Sequence, residues 1–300
     1  MEKILIAGGT GFAGKHLISF LAEKGYSINV LTRKANFKVS ENIQFFQWNV
    51  EQQYIDKNAF ENVDAIINLT GANIGEKRWT KERKSEIINS RIKSIDLLYR
   101  YLSEDNFKIT TFISSSAVGF YGAVTTNEIF KETSKSGNDF LASVCQIWET
   151  TAMKFNDLGI RTVILRKGVI TGKDGGICQK LYPLAKLGIN VSLGSGKQYL
   201  PWIDVRDLTR LYDFILSNSK ISGVYNAVSS EQITMNDFSK ILLESFDKKN
   251  IFPNAPAFII RLLFGEMSVM LLEGSRVSNE KLKSTGFSFE FDTIEKSLFQ

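Results

Sequence analysis

Three glycines near the start of the chain have a spacing that suits the binding of a phosphate-containing cofactor. Gly8, Gly11 and Gly14 lie in the segment GGTGFAG, directly after a short apolar run. The first glycine permits a tight turn, the second lets backbone N–H groups approach a pyrophosphate, and the third lets a helix pack closely on the strand. The dipole of that helix favours phosphates at its N-terminus. We therefore predict a dinucleotide site formed by Gly8, Thr10, Gly11, Phe12, Ala13 and Gly14.

The residues after the second apolar run indicate which dinucleotide is bound. Enzymes that use NAD usually carry an acidic residue at this place, which accepts hydrogen bonds from the ribose 2′-hydroxyl. This chain instead has Thr32, Arg33 and Lys34. Because a guanidinium matches the geometry of a phosphate, these residues favour the 2′-phosphate of NADP(H). The alternative interpretation is a basic pair that only faces solvent at a strand end.

Strands and helices alternate through the first half of the chain. The strand candidates are mostly continuous apolar runs, which is typical of strands buried on both faces of a sheet. Helical patterns at 13–24, 80–102 and 139–156 lie between them. This order predicts an α/β fold with a Rossmann-type, doubly wound parallel sheet. The strands are expected at 3–9, 27–33, 43–50, 63–71, 108–116 and 160–168.

The alternation weakens after Gly172, and this change divides the chain into two predicted units. Residues 1–172 are expected to form the dinucleotide-binding domain, with return elements to about residue 230. Residues 173–300 are expected to form a smaller α+β substrate lobe, which includes a separate segment at about 250–300. In this lobe Asp204 and Asp207 either cap a helix or touch a ligand.

The positive charge of the chain raises the question of nucleic-acid binding. The net charge is +5 and the isoelectric point is about 9.0. The basic residues are scattered, apart from a cluster at 75–84 that alternates with glutamate and is typical of a solvated helix start. Since no basic stripe is interleaved with aromatic residues, we expect no nucleic-acid partner. The small excess of positive charge suits anionic small-molecule ligands.

The composition is that of an ordinary globular protein, with 43% hydrophobic and 23% charged residues. No apolar run approaches the ~20 residues that a membrane span needs, so we expect no membrane association. The N-terminus shows no signal-peptide pattern, which favours a cytoplasmic location. Cys145, Cys178 and the single His16 predict free thiols and neither a metal site nor a disulfide.

Several further segments carry a family resemblance over nearly the whole chain. The sequence has NLTG at 68–71, SSSAVGFYG at 114–122 and PWIDVRDL at 201–208, in addition to the glycine segment. It thus resembles the extended short-chain dehydrogenases/reductases of the NAD(P)-dependent epimerase/dehydratase superfamily. More narrowly, FLASVCQIWE at 140–149 and the C-terminal segment resemble the uncharacterised "epimerase family protein" branch. This branch is often labelled cell-division-inhibitor-like, a label that no residue here supports.

The resemblance implies further cofactor contacts. The backbone after the fourth strand would lie against the adenosine and its phosphates, and the helix after RWT would face the cofactor. A residue after the sixth strand would pack against the nicotinamide end. For the helix, the alternative is a pair of charged residues on a solvated face. The residues after the fourth strand are Leu69, Thr70 and Gly71. Those on the helix are Glu86 and Arg91, and the residue after the sixth strand is Val169.

The catalytic segment departs from the family pattern. In active relatives a serine or threonine positions the substrate, a tyrosine transfers the proton, and a lysine lowers the pKa of that tyrosine. Ser116 matches the first position, but Leu141 and Cys145 stand where the tyrosine and the lysine would be. Leucine transfers no proton, and a thiol supplies no fixed positive charge. Tyr121 is a candidate for the acid, or it packs or contacts the substrate.

Two functions stay open for a protein of this kind. One is an NADP(H)-dependent oxidoreductase or epimerase-like enzyme with a rearranged proton donor, acting on an unknown small molecule. The other is a catalytically weak or inactive protein that binds NADP(H) as a sensor. A sugar-nucleotide epimerase with the usual chemistry is disfavoured by Leu141 and Cys145. We expect a monomer or a homodimer.

Overall fold

The computed structural model of the chain describes residues 2–33, 41–105, 107–173, 175–250 and 252–299. Lys34, one of the residues predicted to bind a 2′-phosphate, lies outside these ranges. The strands of the described residues are β1 (Lys3–Ala7), β2 (Ser27–Thr32), β3 (Ile43–Asn49), β4 (Tyr54–Ile55), β5 (Ala65–Asn68), β6 (Thr111–Ala117), β7 (Ile129–Phe130), β8 (Arg161–Lys167), β9 (Val169–Thr171), β10 (Trp202–Asp204), β11 (Gly223–Ala227) and β12 (Arg276–Val277).

One large sheet forms the centre of the described structure. Its strand order is β11-β8-β6-β5-β1-β2-β3-β4, and every neighbouring pair is parallel except β3 and β4. The chain therefore winds outward from β1 in both directions, which confirms the predicted doubly wound sheet. Two small parallel pairs, β9 with β10 and β7 with β12, lie outside it.

Helices cover both faces of the sheet. They are α1 (Phe12–Glu23), α2 (Lys81–Glu104), α3 (Phe140–Met153), α4 (Cys178–Lys186), α5 (Val205–Leu216), α6 (Met235–Glu244), α7 (Ala257–Phe264), α8 (Val269–Leu272), α9 (Glu280–Ser284) and α10 (Ile294–Phe299). Helices α1 and α5 pack on one face, and α2 and α3 pack on the other. No helix in the described ranges has both the length and the apolar composition to cross a membrane.

The helices whose first turn is capped by the side chain of the preceding residue include α2, α3 and α5. Thr80 accepts a hydrogen bond from the backbone N–H of Arg83, and Asp139 accepts one from Ala142. Asp204 caps α5 in the same way, so it has the first of its two predicted roles, that of a helix cap. Asp207 accepts backbone hydrogen bonds at the far end of the chain, from Glu290 and Phe291.

The alternation of side chains along the strands decides which residues reach each face. On β6 Ile113 packs with α1 and α5, whereas Phe112 packs with α2 and α3. Because successive side chains point to opposite faces, Ser115 lies on the same face as Ile113, and Ser116 lies on the same face as Phe112. On β8 the same rule places Lys167 on the α1 and α5 face and Arg166 on the α2 and α3 face.

The second half of the chain contributes to both the large sheet and a separate core. Strand β11 lies at the edge of the large sheet, as expected for return elements before residue 230. Helices α4, α6 and α10 form their own apolar cluster around Trp202 and Phe238. The segment after α7 packs through Met267 on Trp79 and Val144, and so joins the C-terminal residues to α2 and α3. The division after residue 172 stays a prediction.

Candidate dinucleotide and substrate site

The glycine loop between β1 and α1 has the close approaches that its spacing predicts. Gly8 has a φ of +84°, a conformation that side chains rarely adopt. A Cβ atom on Gly14 would lie 2.6 Å from the Gly8 carbonyl oxygen, so only glycine fits at this place. Gly11 begins α1 without a side-chain cap, and the first turn of α1 contains no acidic residue. The N-terminus of α1 is therefore suited to an anion.

The remaining residues of the loop lie where a bound dinucleotide can reach them. Thr10 and Gly11 are exposed, and Ala13 is partly buried. The ring of Phe12 lies against Gly175, because a Cβ atom on that glycine would be 2.2 Å from the ring. A loop of the predicted substrate lobe thus closes over the start of α1. The N-terminus of α1, which has no side-chain cap, fits a pyrophosphate.

The end of β2 presents one described cation to solvent. Thr32 is buried and Arg33 is exposed. Since Arg33 directly follows the strand next to β1, its guanidinium lies at the carboxyl edge of the sheet, on the side away from β5. This is the position from which a 2′-phosphate can be bound.

The residues after β5 form a second loop, which contacts the glycine loop. A Cβ atom on Gly8 would lie 2.9 Å from the carbonyl carbon of Leu69, so the two loops touch. The hydroxyl of Thr70 lies 2.7 Å from the Asn68 side-chain oxygen and 2.6 Å from the Ser94 hydroxyl. A Cβ atom on Gly71 would lie 3.0 Å from the Arg91 guanidinium carbon.

Arg91 is a buried cation at this edge, with no carboxylate partner among the described residues. Its guanidinium donates to the carbonyl oxygens of Ala72 and Ile87 and lies 4.7 Å from the ring centre of Trp148. Its Nε has no hydrogen-bond partner. Burial lowers the pKa of Arg91 to about 10. A guanidinium without a carboxylate partner, next to the loop after β5, suits a phosphate, as the resemblance implies.

Glu86 occupies a different environment from Arg91. It is exposed, and its carboxylate accepts a hydrogen bond of 2.7 Å from Arg83. Arg83 is buried and also donates to the Asn73 carbonyl oxygen and to Glu76. Arg83 thus stabilises the 71–80 loop, a role that the sequence did not reveal. The cofactor contact of Glu86 stays a prediction.

The two predicted catalytic hydroxyls belong to a buried polar network. Ser116 donates to Glu149 at 2.6 Å, and Arg166 donates to both Glu149 carboxylate oxygens at 2.8 Å. Arg166 also donates to the Tyr121 hydroxyl at 3.0 Å, and that hydroxyl donates to Asn226 at 2.7 Å. Burial raises the pKa of Tyr121. This network joins β6, α3, β8 and β11.

The network restricts what both hydroxyls can do. Ser116 is 1% exposed and Tyr121 is 2% exposed. For Ser116 to position a substrate, its hydroxyl must accept a second hydrogen bond or leave Glu149. Their catalytic roles stay predictions. The Glu149–Arg166 pair was missed from the sequence, although two opposite charges inside apolar segments were the available signal.

The two positions that lack the family residues lie next to each other on α3. A Cβ atom on Gly119 would lie 3.4 Å from the Leu141 Cβ and 3.7 Å from the Cys145 Sγ. Leu141 packs in the apolar cluster that contains Met267 and Trp79. Burial, with a smaller effect from Glu149, raises the pKa of Cys145 to about 12. Neither residue supplies a proton or a charge near neutral pH.

Val169 begins the short pair of β9 and β10. Its N–H donates to the Pro201 carbonyl oxygen at 2.8 Å, and its side chain packs near the cluster around Trp202. Its predicted contact with the nicotinamide end stays a prediction. Two residues earlier, Lys167 donates to the Ser115 hydroxyl at 2.8 Å. In the sequence, Lys167 lies at the end of the strand predicted at 160–168.

The parallel sheet, the glycine loop and the open N-terminus of α1 define a dinucleotide-binding protein of the Rossmann type. The sequence model of the NAD dependent epimerase/dehydratase family matches residues 4–227, most of the chain. The chain belongs to this family. Residues 255–299 match a second family, described as a domain of unknown function (DUF1731). The resemblance inferred from the motifs is therefore confirmed.

Similar proteins match the chain over almost its full length. The epimerase family protein YfhF of Bacillus subtilis is 31% identical over 297 residues, which are 99% of this chain and 97% of that protein. A chloroplastic SDR39U1 homologue of Arabidopsis thaliana is 33% identical and covers 98% of this chain and 85% of its own. The crystal structure of human epimerase family protein SDR39U1 (isoform 2) with NADPH superimposes with a TM-score of 0.86, at 25% identity over 98% of this chain and 97% of that one.

Proposed function

We propose that this chain binds NADP(H) at the glycine loop and is an oxidoreductase or epimerase-like enzyme of the short-chain dehydrogenase/reductase type. The observation that carries the proposal is the packing of Gly8 against Gly14 and Leu69, which leaves the N-terminus of α1 open at the sheet edge. The exposed Arg33 supports a 2′-phosphate. The human relative that was crystallised with NADPH supports the same cofactor.

Three features of the site would hold the bound cofactor. The backbone N–H groups of the glycine loop and the dipole of α1 would hold the pyrophosphate. Arg33 would bind the 2′-phosphate, and Arg91 would bind an oxygen of the diphosphate from the side of β5. The bound cofactor supplies hydride chemistry. The protein would orient it through these contacts.

A second candidate function is an NADP(H)-binding sensor with little or no turnover. It is favoured by Leu141 and Cys145, since the first carries no exchangeable proton and the second is a neutral thiol. In that case the apolar packing of Leu141 on Met267 would couple the cofactor cleft to the C-terminal segment.

The test is a fluorescence titration of the purified chain with NADPH and, separately, with NADH. We expect NADPH to bind at least tenfold more tightly, which corresponds to about 1.4 kcal/mol. Absence of binding, or equal affinities, would reject the proposed cofactor. Incubation of the NADPH complex with a panel of aldehydes and ketones then separates the two functions. Oxidation of the nicotinamide on any substrate favours the enzyme, and none favours the sensor.

A cytoplasmic location is part of the proposal. It is supported by Cys145 and Cys178, which are both buried free thiols, as is usual in a reducing compartment. Recovery of the protein from the soluble reducing fraction of its own cells tests this location, and recovery from an oxidising compartment would contradict it.

A further inference from the structure

Lys167 ends β8 at the carboxyl edge of the sheet. Its Cα pairs with that of Ala117 on β6, and its ammonium donates to the Ser115 hydroxyl at 2.8 Å. The side chain is partly buried. Among the described residues no carboxylate forms an ion pair with it. A desolvated lysine whose one hydrogen-bond partner is neutral is a candidate for a functional group.

The strand order places Lys167 far from the expected phosphates. Strands β5 and β6 lie between β1 and β8. Neighbouring strands lie ~4.8 Å apart and β8 is three strands from β1, so Lys167 lies about 14 Å from the end of β1. The pyrophosphate belongs at the β1 end, so a dinucleotide that extends along this edge has its nicotinamide end near β8. Lys167 is therefore at the reactive end of the site.

Three other titratable groups at this edge do not exchange a proton near neutral pH. Cys145, which approaches Ala117 from α3, is a neutral thiol with its pKa raised to about 12. Arg166 is held by both oxygens of Glu149. Tyr212 of α5, whose hydroxyl lies near Ser115, is fully buried, and burial raises its pKa.

Burial and one nearby positive charge lower the pKa of Lys167. Burial is the largest effect and the positive charge of Arg91 adds to it, which together bring the pKa of Lys167 to about 8. Proton transfer is most efficient when the pKa of the donor lies near the working pH. Lys167 meets this condition, whereas an exposed lysine with a pKa near 10.4 does not.

Building on the proposed function, we propose that Lys167 is the proton-transfer residue of the site and that the substrate is a ketone or an aldehyde. Bound NADPH would supply a hydride to the carbonyl carbon, and the Lys167 ammonium would give a proton to the carbonyl oxygen. The products are an alcohol, the oxidised cofactor and a neutral amine, which takes a proton from solvent. Ser115 holds the amine in place. The proton donor has thus moved from helix α3 to strand β8.

The first test measures Lys167 without any substrate. The protein is labelled with an amine-specific reagent over a range of pH values, and the modified peptides are quantified by mass spectrometry. Lys167 is expected to reach half-maximal labelling near pH 8, and the labelling of the exposed Lys240 serves as the internal standard. An ordinary pKa for Lys167 would overturn the proposal.

The same labelling locates Lys167 relative to the cofactor. NADP⁺ is expected to protect Lys167, whereas adenosine 2′,5′-bisphosphate, which lacks the nicotinamide end, is not. Equal protection by both ligands, or protection by neither, places Lys167 elsewhere and overturns the proposal. If neither ligand binds in a parallel titration, the proposed function itself has failed. Binding of NADP⁺ without protection removes only the role of Lys167.

The second test uses variants on any carbonyl substrate that the native protein reduces. Lys167→Gln and Lys167→Arg are expected to keep the NADPH affinity within a few-fold and to lose about 10²–10⁴-fold in kcat, the usual contribution of a proton donor. Lys240→Gln is the matched control and should change neither value. Full activity in Lys167→Arg would show that only positive charge is needed, which would overturn proton transfer.

Discussion

Arg166 and Glu149 form a bidentate ion pair in the interior, with N–O distances of 2.8 Å for both hydrogen bonds. Arg166 is 3% exposed and Glu149 is 7% exposed. Through Ser116 on one side and Tyr121 on the other, the pair connects β6 and β8 to α3. It therefore fixes the helix that carries Leu141 and Cys145 against the strand ends.

Breaking this pair should destabilise the protein strongly. Glu149→Ala leaves the Arg166 guanidinium buried without its partner, and we expect a loss of about 3–5 kcal/mol in the free energy of unfolding. Chemical denaturation of both proteins measures the difference. Glu51→Ala, which breaks the exposed pair with Lys93, is the control and should cost no more than about 1 kcal/mol. Similar losses in the two variants would contradict the structural role of the buried pair.

Two glycines of the cofactor loop should respond differently to the same substitution. Gly14→Ala places a Cβ atom 2.6 Å from the Gly8 oxygen and from the Gly9 Cα, so the loop must shift and both stability and NADPH affinity should fall. In Gly11→Ala the nearest atom lies at 3.6 Å, which is an ordinary contact. Its stability should stay native while NADPH affinity falls, because the new methyl group lies where the pyrophosphate approaches. Thermal unfolding and NADPH titration of both variants check this. Native stability in Gly14→Ala would show that the crowding at Gly14 is relieved without cost.

Much of this arrangement follows from local sequence signals. The continuous apolar runs and the glycine spacing were sufficient to predict the parallel sheet and the cradle at α1, because both depend on neighbouring residues. The partner of Glu149 could not be predicted in this way, since Arg166 reaches it only after α3 has packed on β8. Lys167 looked like the polar end of a strand. Its isolation from carboxylates appears only when the sheet brings Ser115 beside it and leaves Glu149 on the other face.

The buried thiol of Cys145 should make stability depend on alkaline pH. Its pKa is raised to about 12 in the folded protein, whereas an unfolded thiol titrates at about 8.5. The folded state therefore holds the proton more tightly, so this stabilisation is complete below about pH 8.5 and is lost as the pH rises toward 12. Native protein should lose more stability than Cys145→Ala between about pH 8 and 10, as measured by urea denaturation. Parallel pH profiles for the two proteins would contradict a buried neutral thiol.

The same variant tests whether the thiol takes part in binding or turnover. Cys145→Ala and Leu141→Ala remove no charge-assisted contact, so NADPH affinity should stay within a few-fold of native. Any reductase activity should survive Cys145→Ala. A folded Cys145→Ala protein without activity would make the thiol a participant in the chemistry. Circular dichroism shows whether that variant is folded.

The most direct measurement of the central claim is a pair of titrations, with NADPH and with NADH, on native protein and on Arg33→Ala. We expect Arg33→Ala to weaken NADPH binding by about 1.5–3 kcal/mol, the scale of a hydrogen bond to a charged group, and to leave NADH binding nearly unchanged. Arg261→Ala, at an exposed position on α7, controls for the general loss of positive charge. Equal losses for the two cofactors, or no loss for either, would contradict the assignment of NADP(H) to this site.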